Sequence, residues 1–164
     1  MALLGVVLLR ASDGSERAQA PESVTVQRPT GSASAERGDG AAALRMLRAW
    51  DRSRARAYAT ASPARLRRLY VVGSAAGAAD LRLLDAYRSR GLRVVGMRTQ
   101  VLALAVLEAR PDRWALRVTD RLARGVAVQG GRRLDLPRDG SSTRVITLML
   151  GPDARWRVSS VSNA

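Results

Sequence analysis

The chain has 164 residues, enough for one domain of ordinary size and a tail. Its formal net charge is +14, all 28 basic residues are arginine, and lysine, histidine, cysteine and phenylalanine are absent. Without cysteine, the chain has no disulfides, no thiolate nucleophile and no cysteine-ligated metal site. Without histidine, it lacks the usual general base near neutral pH and any Ser-His-Asp triad. Acid–base chemistry here would have to use Asp, Glu, Tyr or Arg.

The arginine surplus has two interpretations. Alanine, arginine, glycine, leucine and valine dominate the chain, and isoleucine occurs once, at Ile146. This composition is typical of GC-rich coding sequence, so we interpret most of the charge as a solvated surface. The alternative is a selected binding site for nucleic acid or another anionic polymer. Because no known nucleic-acid motif is present, specific nucleic-acid binding is not expected.

The N-terminal segment differs in composition from the rest of the chain. Residues 2–9, ALLGVVLL, are wholly apolar, but a bilayer-spanning helix needs about 20 residues. We interpret residues 1–10 as the remnant of an anchor or signal helix, with a short buried strand or an apolar tail as the alternative. Residues 11–40 are rich in Ser, Gly, Ala and Pro, and we predict a flexible linker there. This layout predicts an extracytoplasmic protein, secreted or anchored, with a cytoplasmic location as the alternative.

Three helices are predicted after the linker. Residues 41–61 carry an apolar stripe at helical spacing, marked by Leu47 and Trp50. Ser62 and Pro63 suit the cap and first turn of a second helix, which we predict over residues 63–70. The third helix is predicted over residues 78–90 and ends at a glycine.

Two charged residues of these helices have predicted roles. In the first helix, Arg54 lies near the apolar stripe, and we expect it to reach Asp51 three residues earlier. In the third helix, Asp80 lies near the start, where a negative charge suits the helix dipole.

The period of the apolar residues then changes from the helical one to the alternation of strands. We predict a long strand over residues 92–109, a turn at RPDR and a return strand over residues 114–122. A smaller hairpin is predicted around Gly130 and Gly131, and Gly125 is expected to mark a bulge or a bend. TRVITLML and RWRVSSV are predicted to form the last hairpin. The predicted fold class is therefore α+β, with three N-terminal helices packed against a curved antiparallel sheet, in a domain covering residues 41–162.

One acidic residue lies on the predicted apolar face of this sheet. Pairing the two long strands places Asp120 on the same face as a set of apolar residues: Leu102, Leu104, Val106, Trp114, Leu116 and Val118. A carboxylate there is costly unless it is paired. It is either a pocket base with a raised pKa or, as we favour, one half of an ion pair with Arg98 or Arg144.

The order of elements resembles that of a known superfamily. The stretches that carry the resemblance are LRAWDRSRARAYATASPARLRRLY, DLRLLDAYRSRGLRV, RWALRVTDRL and RWRVSSV. They resemble the nuclear-transport-factor-two-like superfamily (NTF2-like), also called SnoaL-like or cystatin-like, over residues 41–161. The chain is also similar to extracytoplasmic domains of high-GC actinobacteria.

This resemblance implies a cone-shaped domain with a pocket at its open end. Enzymes of the superfamily, such as ketosteroid-isomerase-like and polyketide-cyclase-like proteins, often use an Asp with a Tyr, Asp or His in that pocket. Many other members serve as binding or assembly modules. Because this chain has no His, part of the enzymatic pattern is missing.

The candidate pocket residues follow from these expectations. Aromatic side chains combine apolar area with a polar tip, so they suit a pocket, although core packing is the alternative for each of them. The candidates are Trp50, Tyr58, Tyr70, Tyr87, Arg98, Trp114 and Asp120. In an enzyme, Asp120 would act as the base and Tyr70 or Tyr58 as the hydrogen-bond donor.

The function predicted from these observations is a non-catalytic, extracytoplasmic binding or protein-interaction module. Its expected partner is a protein or a small apolar ligand, and the arginine surface also suits an anionic surface. A homodimer formed through the sheet is a further expectation from the resemblance. No cofactor is expected, and the scattered acidic residues give no metal site. The alternatives are an isomerase- or cyclase-type enzyme and a binder of nucleic acid or anionic polymers.

Overall fold

The computed structural model describes residues 32–137 and 140–164 of the chain. The predicted anchor over residues 1–10 and the first part of the predicted linker lie outside the described residues. Three helices come first in the chain: α1 (Ser32–Ala59), α2 (Pro63–Arg67) and α3 (Ala75–Arg88). Five strands follow: β1 (Arg93–Ala109), β2 (Arg113–Gln129), β3 (Arg132–Asp135), β4 (Ser142–Leu150) and β5 (Trp156–Asn163).

Two helices begin earlier than predicted. α1 starts at Ser32, so residues 32–40, predicted as linker, are helical. The last proline before this helix is Pro29, and the residues after Ser32 are mostly alanine, serine, glutamate and arginine, which permit a helix. α3 starts at Ala75 because the Ser74 side chain caps it, accepting a hydrogen bond from the backbone N–H of Gly77 at 3.2 Å.

The strands form one antiparallel sheet in the order β1-β2-β4-β5. β2 is the long central strand. One of its edges pairs with β1, and the opposite edge pairs with β4 along the first half of β2 and with β3 near its C-terminal end. β2 therefore continues past Leu122, where the predicted return strand ended. The hairpin between β2 and β3 turns at Gly130 and Gly131, whose φ angles of 49° and 86° fit the predicted tight turn.

Irregular pairing between β1 and β2 bends the sheet. At one point, Gly96 and Met97 of β1 stand opposite the single residue Gly125, and Gly96 has a φ of 63°, as in a glycine bulge. Leu102 is a second extra residue, between Val101 and Ala103. The prediction that Leu102 shares the apolar face with its neighbours is wrong, because the bulge turns it outward and leaves it 47% exposed.

The core lies between the helices and the concave face of the sheet. Its fully buried side chains come from all parts of the domain: Tyr58, Leu66, Leu84, Val94, Leu116, Val118, Leu148 and Val158. The segment after α2 is held to the last strand by backbone hydrogen bonds: the N–H of Val71 donates to the carbonyl of Val158, and the N–H of Val158 donates to the carbonyl of Leu69, both at 2.9 Å. In the described part of the chain, no helix is long and apolar enough to cross a membrane.

Candidate ligand-binding cavity

A cavity of about 480 Å³ opens between α1, α3 and the concave face of the sheet. Most of its wall is apolar, and the main apolar residues are Leu47, Trp50, Val101, Val118, Ile146 and Val158. Its charged residues are Arg48, Asp51, Arg54, Asp80, Asp120 and Arg144. Leu83 and Val161, which also line it, are 42% and 36% exposed and mark its open side. Size and lining both suit a small, mostly apolar molecule.

Asp80 is the centre of a hydrogen-bonded cluster in the cavity wall. Its carboxylate accepts two bonds from Arg54, Nε to Oδ2 at 2.7 Å and Nη2 to Oδ1 at 2.5 Å. The Tyr58 hydroxyl donates to Oδ1 at 2.7 Å, and the Tyr70 hydroxyl donates to Oδ2 at 2.8 Å. Each carboxylate oxygen therefore accepts two hydrogen bonds, which fills its usual capacity. We call these four residues the Asp80 cluster.

The cluster fixes the charge of each member. Burial acts to raise the pKa of Asp80, but the hydrogen bonds and positive charge of Arg54, with the two tyrosine hydroxyls, outweigh it and hold that pKa below its usual value. Burial raises the pKa of Tyr58 and of Tyr70, and the Asp80 carboxylate adds to both shifts. At neutral pH, Asp80 is therefore ionised and both tyrosines are protonated.

Local structure positions these side chains. On α3, Gly77, Asp80, Leu84 and Tyr87 are buried and follow one another at helical spacing, so they share the face that packs inward. On α1, Arg54 lies between two aromatic rings, with its Cζ 5.0 Å from the centroid of Tyr58 and 6.0 Å from that of the Trp50 ring.

The sequence predicted a contact between Arg54 and Asp51, but the two residues do not contact each other. Its guanidinium reaches across to α3, where Nε and Nη2 form a bidentate, charge-assisted pair with the buried Asp80. Asp51 instead accepts hydrogen bonds from Thr99 on β1, with Oγ1 at 2.8 Å and the backbone N–H at 3.4 Å. These bonds tie α1 to the sheet beside the cavity.

The second buried carboxylate of the cavity, Asp120, pairs with Arg144 on the neighbouring strand. Nη2 of Arg144 donates to Oδ1 of Asp120. Asp120 stands opposite Ser142 and Arg144 opposite Val118, so the pair crosses the two strands diagonally. Nε of Arg144 is buried and has no hydrogen-bond partner among the described residues.

The structure brings together only part of the predicted set of pocket residues. Trp50, Tyr70 and Asp120 line the cavity. Tyr58 is buried behind them and reaches Asp80, while Tyr87 packs edge-on against Tyr58 with ring centroids 6.3 Å apart.

The two other candidates lie elsewhere in the domain. Trp114 packs edge-on against Trp156, with centroids 6.4 Å apart, and neither residue is part of the cavity wall. Arg98 is exposed on β1 and forms no ion pair with Asp120, so the pairing alternative that involved Arg98 is wrong.

Two charged residues of the cavity wall, Asp80 and Arg54, were not among the candidates. The sequence carried a signal for Asp80, because it lies four residues before Leu84 and seven before Tyr87, on the apolar stripe of α3. A carboxylate on such a stripe requires a partner, and Arg54 is the arginine nearest to the stripe of α1. Within residues 32–137 and 140–164, no group of three or more acidic residues could hold a metal ion.

No protein-family profile and no curated protein matches this sequence. Solved structures do match over most of the chain. The intermembrane-space region of the chloroplast protein ARC6 is 12% identical, with a TM-score of 0.53 over 76% of this chain and 95% of that one. A protein of Catenulispora acidiphila is 13% identical, with a TM-score of 0.49 over 77% of this chain and 94% of that one.

A third solved structure, a protein with a cystatin-like fold from Caulobacter vibrioides, is 14% identical, with a TM-score of 0.45 over 77% of this chain and 89% of that one. The predicted α+β fold class is therefore confirmed: three helices pack against a curved antiparallel sheet, and the ARC6 region shares this fold. At these identities the likeness concerns the fold alone, because one fold serves many functions.

Proposed function

We propose that this domain is a non-catalytic binding module that holds a small, mostly apolar molecule in its cavity. One observation carries the proposal: both buried carboxylates of the cavity are already neutralised. Asp80 accepts four hydrogen bonds from Arg54, Tyr58 and Tyr70, and Asp120 pairs with Arg144.

An isomerase- or cyclase-type reaction would need a base that can take up a proton near neutral pH. Asp80 cannot serve, because the cluster holds its pKa below the usual value and leaves it fully hydrogen-bonded. The two tyrosines direct their protons at Asp80, so neither hydroxyl is available to donate to a ligand oxygen. Because the Asp80 carboxylate and the two tyrosine hydroxyls are already paired with one another, the cavity is better suited to binding than to catalysis.

Filling the cavity tests this proposal. Ala79 and its neighbour Ala78 on α3 are both exposed, but only Ala79 lines the cavity. We expect the wild-type protein to bind Nile red, a neutral apolar dye, with a rise in dye fluorescence. Ala79→Phe should abolish this binding and Ala78→Phe should preserve it, because only the first places a ring in the cavity. The proposal fails if the wild type does not bind the dye, or if both variants lose binding equally.

We further propose that the module acts outside the cytoplasm. The support for this location is the apolar stretch at residues 2–9, followed by a polar segment and a compact domain. Expression of the full chain in an actinobacterial host, followed by protease treatment of intact cells with the wall removed, tests it. Digestion of the domain is expected, and protection until the cells are lysed would contradict it.

A further inference from the structure

In the cavity, most carboxylate oxygens already accept hydrogen bonds, whereas several guanidinium N–H groups have no good acceptor. Among the carboxylates, both oxygens of Asp80 and both of Asp51 accept hydrogen bonds, and one oxygen of Asp120 accepts a bond. The single carboxylate oxygen of the cavity wall with no partner among the described residues is therefore Oδ2 of Asp120. The cavity consequently offers a ligand few acceptors.

Donors, in contrast, remain available on three arginines. Arg48 forms no hydrogen bond or ion pair with any residue that the structure describes, and it is exposed at the open side of the cavity. Nη1 of Arg54 reaches only the sulfur of Met97, at 3.8 Å, which is a weak acceptor. Arg144 retains a buried Nε without a partner, and such an orphaned donor is costly.

This imbalance defines the chemistry of a fitting ligand. The apolar wall accommodates an apolar body, while the spare guanidinium N–H groups require an acceptor, best an anionic one, since charge-assisted hydrogen bonds are the stronger kind. The formal charge of +14 further favours an anion over a cation. A cationic head group would find only Oδ2 of Asp120 and the already bonded oxygens of Asp51.

We propose that the ligand of the cavity is an anionic amphiphile, an apolar chain or ring system with a carboxylate or similar acidic head, and that Arg48 binds this head at the open side. This inference rests on the proposed binding function and specifies its ligand class. Arg144 is a second anchor, because it lines the cavity and its Nε has no partner among the described residues.

Two probes that differ only in the head group test the inference. Dodecanoate and dodecanol have the same chain, and calorimetric titration at neutral pH and low salt gives the Kd of each. We expect dodecanoate to bind about tenfold more tightly than dodecanol. Arg48→Gln should remove most of this preference, weakening dodecanoate much more than dodecanol. Arg52→Gln, at an exposed arginine of the same helix outside the cavity wall, should leave both affinities unchanged.

The outcomes separate this inference from the function on which it rests. If dodecanol binds as tightly as dodecanoate, the cavity binds apolar molecules but the inferred anionic head is wrong. If Arg48→Gln and Arg52→Gln weaken dodecanoate equally, general surface charge explains the preference and the assignment of Arg48 fails. If neither probe binds and Nile red also fails to bind, the proposed function itself fails.

Discussion

Gly77 on α3 lies directly against the ring of Tyr70. A Cβ added at Gly77 would be 2.7 Å from Cβ and 2.8 Å from Cγ of Tyr70, which is closer than real side chains approach. Gly77 is also one helical turn before Asp80, the residue that the Tyr70 hydroxyl contacts. The missing side chain therefore lets Tyr70 pack on α3 closely enough to reach the carboxylate.

The first prediction concerns this contact. Gly77→Ala should destabilise the domain by about 1–3 kcal/mol, because the added methyl group forces Tyr70 away from α3. Gly40→Ala is the matched control, since Gly40 is also helical and has open space around its Cα. At Gly40, the higher helix propensity of alanine should stabilise the domain by up to about 1 kcal/mol. Urea unfolding measures both changes, and equal signs for the two variants would contradict the packing argument.

The second prediction concerns the buried ion pair. Arg54→Met should cost about 3–5 kcal/mol, because it leaves Asp80 as an uncompensated buried charge. Arg54→Met combined with Asp80→Asn should recover more than half of that loss, since the asparagine is neutral and its oxygen still accepts from a tyrosine. A double-mutant cycle by denaturant unfolding measures the coupling. Additive losses would show that the two residues do not act as a pair.

The third prediction is the acid dependence of stability. The folded-state pKa of Asp80 lies below its unfolded value of about 3.9, so folding favours the ionised form. The stabilisation is complete above the unfolded pKa and is lost as the pH falls through the folded pKa. The free-energy difference between wild type and Asp80→Asn should therefore shrink below about pH 4. Unfolding midpoints across that range check this, and a constant difference would contradict it.

The fourth prediction concerns alkaline pH. The raised pKa of Tyr58 and of Tyr70 keeps both hydroxyls protonated in the folded state, whereas the unfolded chain ionises near pH 10. Rising pH above about 10 therefore favours unfolding. Phenolate absorbance of these two residues should appear together with the loss of circular dichroism. Tyr70→Phe should reduce the phenolate absorbance that appears together with unfolding. Phenolate absorbance from Tyr58 or Tyr70 while the protein is still folded would refute the prediction.

The fifth prediction concerns the ion pair on the sheet. Asp120→Asn frees the guanidinium of Arg144 from its carboxylate, so the cavity becomes more positive. Dodecanoate should then bind several-fold more tightly, with dodecanol unchanged, by the same calorimetric titration. Because Arg144 is partly exposed, the stability cost should stay near 1 kcal/mol, about the upper range for exposed pairs. A loss of dodecanoate binding would give Asp120 a direct role in the site.

The sequence was sufficient to predict three helices followed by an antiparallel sheet, although the return strand and the first strand of the small hairpin form the single strand β2. Ser62 and Pro63 marked the start of α2, and the glycine pair marked the turn between β2 and β3, because these signals act over a few residues. The bulge at Leu102 was not predicted, since an extra residue within a strand leaves no local signal when both neighbours are apolar.

The candidate site was less accessible to sequence reasoning. Asp120 stood out because alternation placed it on an apolar face, and the structure pairs it with Arg144, one of the two partners considered. The Asp80 cluster joins residues up to 26 positions apart, from α1, α3 and the segment after α2. With so many arginines in the chain, only the packing of the helices selects Arg54 as the partner of Asp80.

The bulges of β1 have a consequence beyond the shape of the cavity. β1 is the outermost strand on its side, and its 17 residues would otherwise present a long, regular row of backbone donors and acceptors. The interruptions at Gly96 and Leu102 break that row into short pieces that a strand from another molecule cannot pair with continuously. The same irregularities that curve the sheet thus protect this edge against aggregation.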